Sequence, residues 1–145
     1  MKTSQVGIDL IKSFEGCKLT AYKCSAGVNT IGFGNTYYTN GNKVKIGDKI
    51  TQEEANKLFL DLLPKYEKTV LNNIKVPLNQ NQFDALVSFC WNCGSSKTLF
   101  SMINNKHSEM NIVNWLCSHY IMGGGKVLNG LVRRRKAEAV LFVKK

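Results

Sequence analysis

The densest group of side chains able to do chemistry lies between Phe14 and Thr36, where Glu15, Cys17, Cys24 and Thr30 are interspersed with Gly16, Gly27, Gly32 and Gly34. Glu15 stands just before a glycine, at the end of an apolar three-and-four repeat, so its carboxylate meets the negative end of a helix dipole. That place suits a side chain that must hold a proton and then donate it, as a general acid does. A solvated carboxylate at a helix end is the alternative. In an extended strand alternate side chains share a face, which groups Thr30, Gly32 and Gly34 opposite Ile31 and Phe33. A hydroxyl beside two bare backbone positions admits close approach of a ligand, and a glycine-weakened edge strand is the alternative.

The other reactive residues are less organised. The five cysteines, at 17, 24, 90, 93 and 117, are odd in number, so at least one thiol has no partner within the chain. Cys90 and Cys93 have C-x-x-C spacing but fall on an apolar helical pattern with no second pair, and one pair supplies only half of a tetrahedral zinc site. His107 and His119 are isolated in spacing. No metal site is expected.

The elements that must position Glu15 and Thr30 are legible in outline. From Thr3 or Ser4 the apolar residues Val6, Leu10, Ile11 and Phe14 recur at helical steps up to Gly16. Residues 17–50 then read as a small antiparallel sheet, punctuated by glycines and by the turn signal Asn40–Gly41. Thr51 and Glu54 fit a capping box opening a long helix, which Pro64 is expected to kink or split. Another helix begins near Asn79–Gln82 and ends at Gly94, with similar patterns over 97–105, 108–120 and 131–144. The fold class expected is α+β, with a cleft between two unequal lobes.

With 145 residues, 43% hydrophobic and only 2 Pro, the chain has the mix of one ordered domain. No apolar run approaches the roughly 18 to 20 residues of a membrane span, and the first residues do not resemble a secretory signal. Twenty Lys and Arg against ten Asp and Glu leave a net charge of +10, which draws the molecule to polyanions without naming one. Arg133–Arg135 invite a nucleic-acid reading, but three consecutive helical residues point in different directions, and a solvated face or an internal ion pair is the expectation.

The pattern E-G-x-x-L-x-A-Y…G-V-x-T-I-G-x-G-x-T from Glu15 to Thr36 resembles the active-site segment of the tailed-phage lysozymes, glycoside hydrolase family 24. Residues 77–89 are similar to that family's central helix and its entry, and residues 124–138 to its C-terminal block, in the family's order. The resemblance implies a lysozyme-like fold in one domain, with a small N-terminal β-sheet lobe (about 1–50), a long connecting helix (about 51–75) and a larger helical lobe (about 76–145). It implies an endolysin, a muramidase that hydrolyses the β-1,4 bond between N-acetylmuramic acid and N-acetylglucosamine in peptidoglycan. No cofactor, nucleic-acid partner or stable membrane insertion is implied. A monomer is expected, held in the host cytoplasm until a membrane lesion releases it to the wall.

The family's catalytic set is Glu, Asp and Thr, and counting nine and fifteen residues on from Glu15 gives Cys24 and Thr30. The acid and the threonine match; the aspartate is replaced by a cysteine. An ionised Cys24 can serve as base or nucleophile where a neutral thiol cannot. In that reading Glu15 protonates the glycosidic oxygen, Thr30 holds a water, and Cys24 activates it or stabilises the sugar cation. A catalytically inactive peptidoglycan-binding or regulatory module is the alternative. Cys17 precedes Cys24 by seven residues, and a disulfide between them would silence the site. By resemblance Gly32, Phe33, Trp91, Asn92 and Thr98 face substrate, although Trp91 also fits a core position. Asn35 stands where many relatives carry His or Arg.

Overall fold

A computed structural model describes the whole chain, Met1–Lys145. The order of elements is α1 (Gln5–Glu15), β1 (Lys18–Lys23), β2 (Asn29–Gly32), α2 (Gln52–Asn73), α3 (Gln80–Cys93), α4 (Lys97–Asn104), α5 (Glu109–Ser118), β3 (Met122–Gly123), β4 (Lys126–Val127) and α6 (Asn129–Val143). The α+β expectation is met, with helices dominating. Contacts divide the chain into Lys12–Lys65 and a second unit made of Met1–Ile11 with Tyr66–Lys145.

In the unit Lys12–Lys65 the sheet is the antiparallel pair β1–β2, registered Lys18↔Gly32, Tyr22↔Thr30 and Lys23↔Asn29. Isolated bridges, Thr20↔Lys49 and Tyr37↔Lys43, extend it. The Asn40–Gly41 turn forms as expected: Gly41 takes φ 88°, and the Tyr38 N–H donates to the Asn42 carbonyl at 2.9 Å. Ala21, Ile31, Val44 and Leu58 pack beneath the strands with Tyr38 and Ile50. Phe33 meets Phe59 edge-on at 5.5 Å, and the Lys12 ammonium lies 4.9 Å from the Phe33 ring. Each fully buried side chain here, such as Ile31 or Phe59, stabilises by about 1.5–3 kcal/mol through removal from water.

The α2 start is a reciprocal cap: the Glu54 N–H donates to Thr51 Oγ1 and the Thr51 N–H to Glu54 Oε1, both at 3.1 Å. The helix then runs unbroken through Pro64. The expected split at Pro64 does not occur.

In the second unit α3 is buried along nine consecutive residues, Phe83 to Trp91, and packs against α6, as α5 does. Asn79 and Gln82 cap its start reciprocally, and Gly94 ends it. The chain start belongs here, not with the sheet as residues 1–50 were expected to. The Thr3 N–H donates to Glu67 at 2.6 Å and the Ser4 N–H to Asp84 at 3.0 Å, which ties the first turn of α1 to α2 and α3. The Arg run resolves into an internal ion pair. Arg134 and Arg135 are buried against Glu138, and the Ser88 hydroxyl donates to the same carboxylate at 2.6 Å. Arg135 Nε lies 2.8 Å from Glu138 Oε1, close but off the hydrogen-bonding direction. Burial pushes the Glu138 carboxyl up, and both guanidiniums pull it back.

The hairpin β3–β4 was not anticipated. Its two-residue link, Gly124–Gly125, takes φ 58° and 79°, the left-handed geometry that hairpin turns require.

Candidate active site

Glu15 closes α1. Gly16 follows at φ 66° and donates its N–H to the Lys12 carbonyl at 2.9 Å, so the helix stops by a glycine cap with the Glu15 side chain half-buried at its end. The wall beside the carboxyl is Gly34, at φ 80°, where a Cβ would collide with Glu15 Oε1. Gly34 reaches that place through a tight turn, not a strand. β2 ends at Gly32, which takes φ 67°, and Ile31 and Asn35 exchange backbone bonds of 2.8 and 2.9 Å across the turn. The expected face of Thr30, Gly32 and Gly34 on one extended strand is therefore corrected. Asn35, 1% exposed, pins the turn by accepting the Phe33 N–H at 3.2 Å.

Cys24 opens the hairpin turn that joins β1 to β2. Its N–H donates to the Val28 carbonyl at 3.0 Å and its carbonyl accepts from Gly27 at 2.8 Å. The same turn holds the thiol below the ordinary cysteine range. The turn N–H of Val28 contributes most and that of Ala26 next, partly opposed by desolvation, with a smaller contribution from Thr30. Backbone donors converging in a turn form an anion-binding concavity. Thr30, 4% exposed, also lies 2.9 Å from the Val28 carbonyl. Its hydroxyl donates a hydrogen bond to that carbonyl.

Tyr22, across the ladder from Thr30, is an element that residue spacing did not single out, although it closes the Ala21–Tyr22 part of the family-like motif. Its phenol is pushed up by partial burial and by the charges of Cys24 and Glu15. The acid, the sulfur, the hydroxyl and the Gly34 wall therefore all belong to the unit Lys12–Lys65.

A family model described as phage lysozyme matches residues 12–138. This chain belongs to the phage lysozyme family. It is 36% identical to an endolysin of Acyrthosiphon pisum secondary endosymbiont phage 1, with 98% of each chain covered. It is 42% identical to an endolysin of Lactococcus phage c2, of which it spans 61% while 99% of this chain is aligned. Among solved structures, an endolysin from Escherichia coli O157:H7 phage FAHEc1 superposes with a TM-score of 0.86 at 36% identity, covering 99% of this chain and 94% of the other. As a phage lysozyme it is a glycosidase of the peptidoglycan-lysing class.

Several expected substrate contacts of this phage lysozyme are placed elsewhere. Phe33, 6% exposed, and Trp91, 8% exposed, are core rings; Trp91 packs 5.2 Å from Tyr66. Neither offers an open face for a sugar. A side chain at Gly32 would meet Asn35, Ile50 and Leu58, so that position faces the interior. Asn92 and Thr98, in the helical unit, are exposed. Cys17 and Cys24 are both free thiols, one at each end of β1. Because the strand ends pair with Gly32 and Asn29, three residues apart on β2, they are held about 10 Å apart or more. A disulfide needs Cα atoms about 4.4–6.8 Å apart, so no Cys17–Cys24 bond is compatible with β1 as it stands. Cys90, buried in α3, is pushed up to about 12 by desolvation.

Proposed function

We propose that this phage lysozyme cleaves the β-1,4 bond between N-acetylmuramic acid and N-acetylglucosamine with Glu15 as general acid and an ionised Cys24 in place of the second carboxylate. Glu15 donates its proton to the glycosidic oxygen. Thr30 holds a water by its hydroxyl, and the Cys24 thiolate accepts that water's proton as oxygen attacks the anomeric carbon, an inverting course. Direct attack by sulfur would give retention instead. The reading is supported by the Cys24–Val28 turn, which seats Cys24 two residues past the Tyr22–Thr30 cross-strand pair, and whose N–H groups at Val28 and Ala26 draw the thiol down. An unassisted cysteine would be largely protonated and inert as a base near neutral pH. Asn92 and Thr98 supply hydrogen bonds to the N-acetyl groups. The enzyme acts as a monomer and reaches the wall through a membrane lesion.

The test is clearing of permeabilised Gram-negative cells by wild type, Glu15→Gln, Cys24→Ser and Cys24→Asp. Glu15→Gln is expected to lose about 10²–10⁴-fold, the usual contribution of a general acid. Cys24→Ser, which cannot ionise near neutral pH, is expected to be inactive, and Cys24→Asp active. Activity surviving in Cys24→Ser removes the sulfur from the mechanism. Wall binding without release of reducing sugar by the wild type identifies an inactive binder. A parallel arm with and without reductant, with mass mapping of the thiols, tests Cys17–Cys24 control: reductant-independent lysis with Cys24 free after oxidation rules it out.

A further inference from the structure

The Thr30 hydroxyl donates to the Val28 carbonyl at 2.9 Å and is engaged within the turn. A carboxyl and a thiolate cannot by themselves satisfy a saccharide, whose acetamido carbonyls and ring oxygens accept hydrogen bonds. Tyr22 supplies what is lacking. It lies opposite Thr30 in the ladder, and cross-strand partners project from the same face of a sheet. Its neighbour Ala21 is buried on the other face, while Tyr22 is 36% exposed. Cys24 follows two residues later, beyond the end of the strand. On the other side Glu15, at the end of α1, is close enough for its charge to act on the phenol. Burial contributes most to the rise of the phenol, ahead of Cys24 and Glu15. The hydroxyl therefore keeps its proton, on a side chain that is partly exposed opposite Thr30.

We propose that Tyr22 is a substrate-contacting residue whose phenolic hydroxyl donates a hydrogen bond to the glycan between Glu15 and Cys24. This rests on the Glu15–Cys24 reading above. The bond is made to bound saccharide before and during reaction, so its loss weakens ground state and transition state alike and appears in KM with kcat nearly unchanged.

The experiment uses the full chain and Tyr22→Phe, which keeps the ring and removes only the hydroxyl. Turnover is measured on soluble peptidoglycan fragments. Binding of the N-acetylglucosamine–N-acetylmuramic acid tetrasaccharide is measured by calorimetry in a Glu15→Gln background, with and without Tyr22→Phe. The expected result is a rise of about three- to tenfold in both KM and Kd, the worth of one neutral hydrogen bond, with an unchanged thermal midpoint. Equal Kd and kcat/KM in Tyr22→Phe and its parent overturn the proposal. So does a fall in kcat with Kd unchanged, which would assign the phenol a purely structural or acid–base role. The two readings separate cleanly: if Glu15→Gln and Cys24→Ser are inactive while Tyr22→Phe matches wild type, only the Tyr22 proposal falls. If those two variants stay active, the site reading itself falls.

Discussion

In the proposed mechanism the Cys24 sulfur has to be ionised by its surroundings, and in this chain those surroundings are a turn. Lowering the thiol's value extends the thiolate to lower pH, so activity that needs the thiolate rises with pH through Cys24's own ionisation, with its acid limb below the ordinary thiol value of 9.0. The Thr30 hydroxyl is one of the groups that lower it. Thr30→Val should therefore shift the acid limb of kcat/KM upward, and Cys24→Asp should shift it down toward the carboxylate range near 4. A limb that stays in place in Thr30→Val would detach the hydroxyl from the sulfur. The position of Glu15 before Gly16 was readable as a helix end from spacing alone. The character of Cys24 was not, because it comes from the N–H groups of Val28 and Ala26, whose direction is set by the turn and not by their identity.

At the level of elements, local chemistry accounts for most boundaries. Thr51 with Glu54 and Asn79 with Gln82 satisfy free N–H groups at helix starts within four residues of chain, so sequence suffices to find them. The strand through Gly34 failed because alternation describes a continuing strand, while positive φ at Gly32 and Gly34 turns the chain back at once. Pro64 does not split α2, because one missing donor and one ring clash did not outweigh the packing on either side of it. The α3–α6 contact depends on the buried group of Glu138, Arg134, Arg135 and Ser88. Arg135→Ala leaves that carboxylate with less compensation in a dry site and should cost about 3–5 kcal/mol, read by denaturant unfolding. A loss below 1 kcal/mol would mean that water enters to replace the guanidinium.

For the molecule as a whole, the net charge of +10 bears on association with the anionic wall more than on folding. No helix is long and apolar enough to cross a membrane. Attraction of an exposed cationic surface to a polyanion is screened over about 10 Å at 0.1 M salt and about 3 Å at 1 M. Clearing of permeabilised cells should therefore fall steadily with ionic strength over that range, while hydrolysis of a short neutral oligosaccharide changes little. Lysis that rises steadily with salt would show that wall attraction does not limit the enzyme.

The order of helices and hairpin, the caps, the Asn40–Gly41 turn and the positions of Glu15 and Thr30 follow from the chain's own sequence, since each depends on neighbours a few residues away. Other features required the tertiary structure. These are the assignment of Phe33 and Trp91 to the core, the burial of Arg134, Arg135 and Glu138 against Ser88 of α3, and the seat of Gly34 against Glu15. Burial, approach of distant backbone and electrostatic surroundings are properties of what packs against a residue, and a linear pattern carries no record of that.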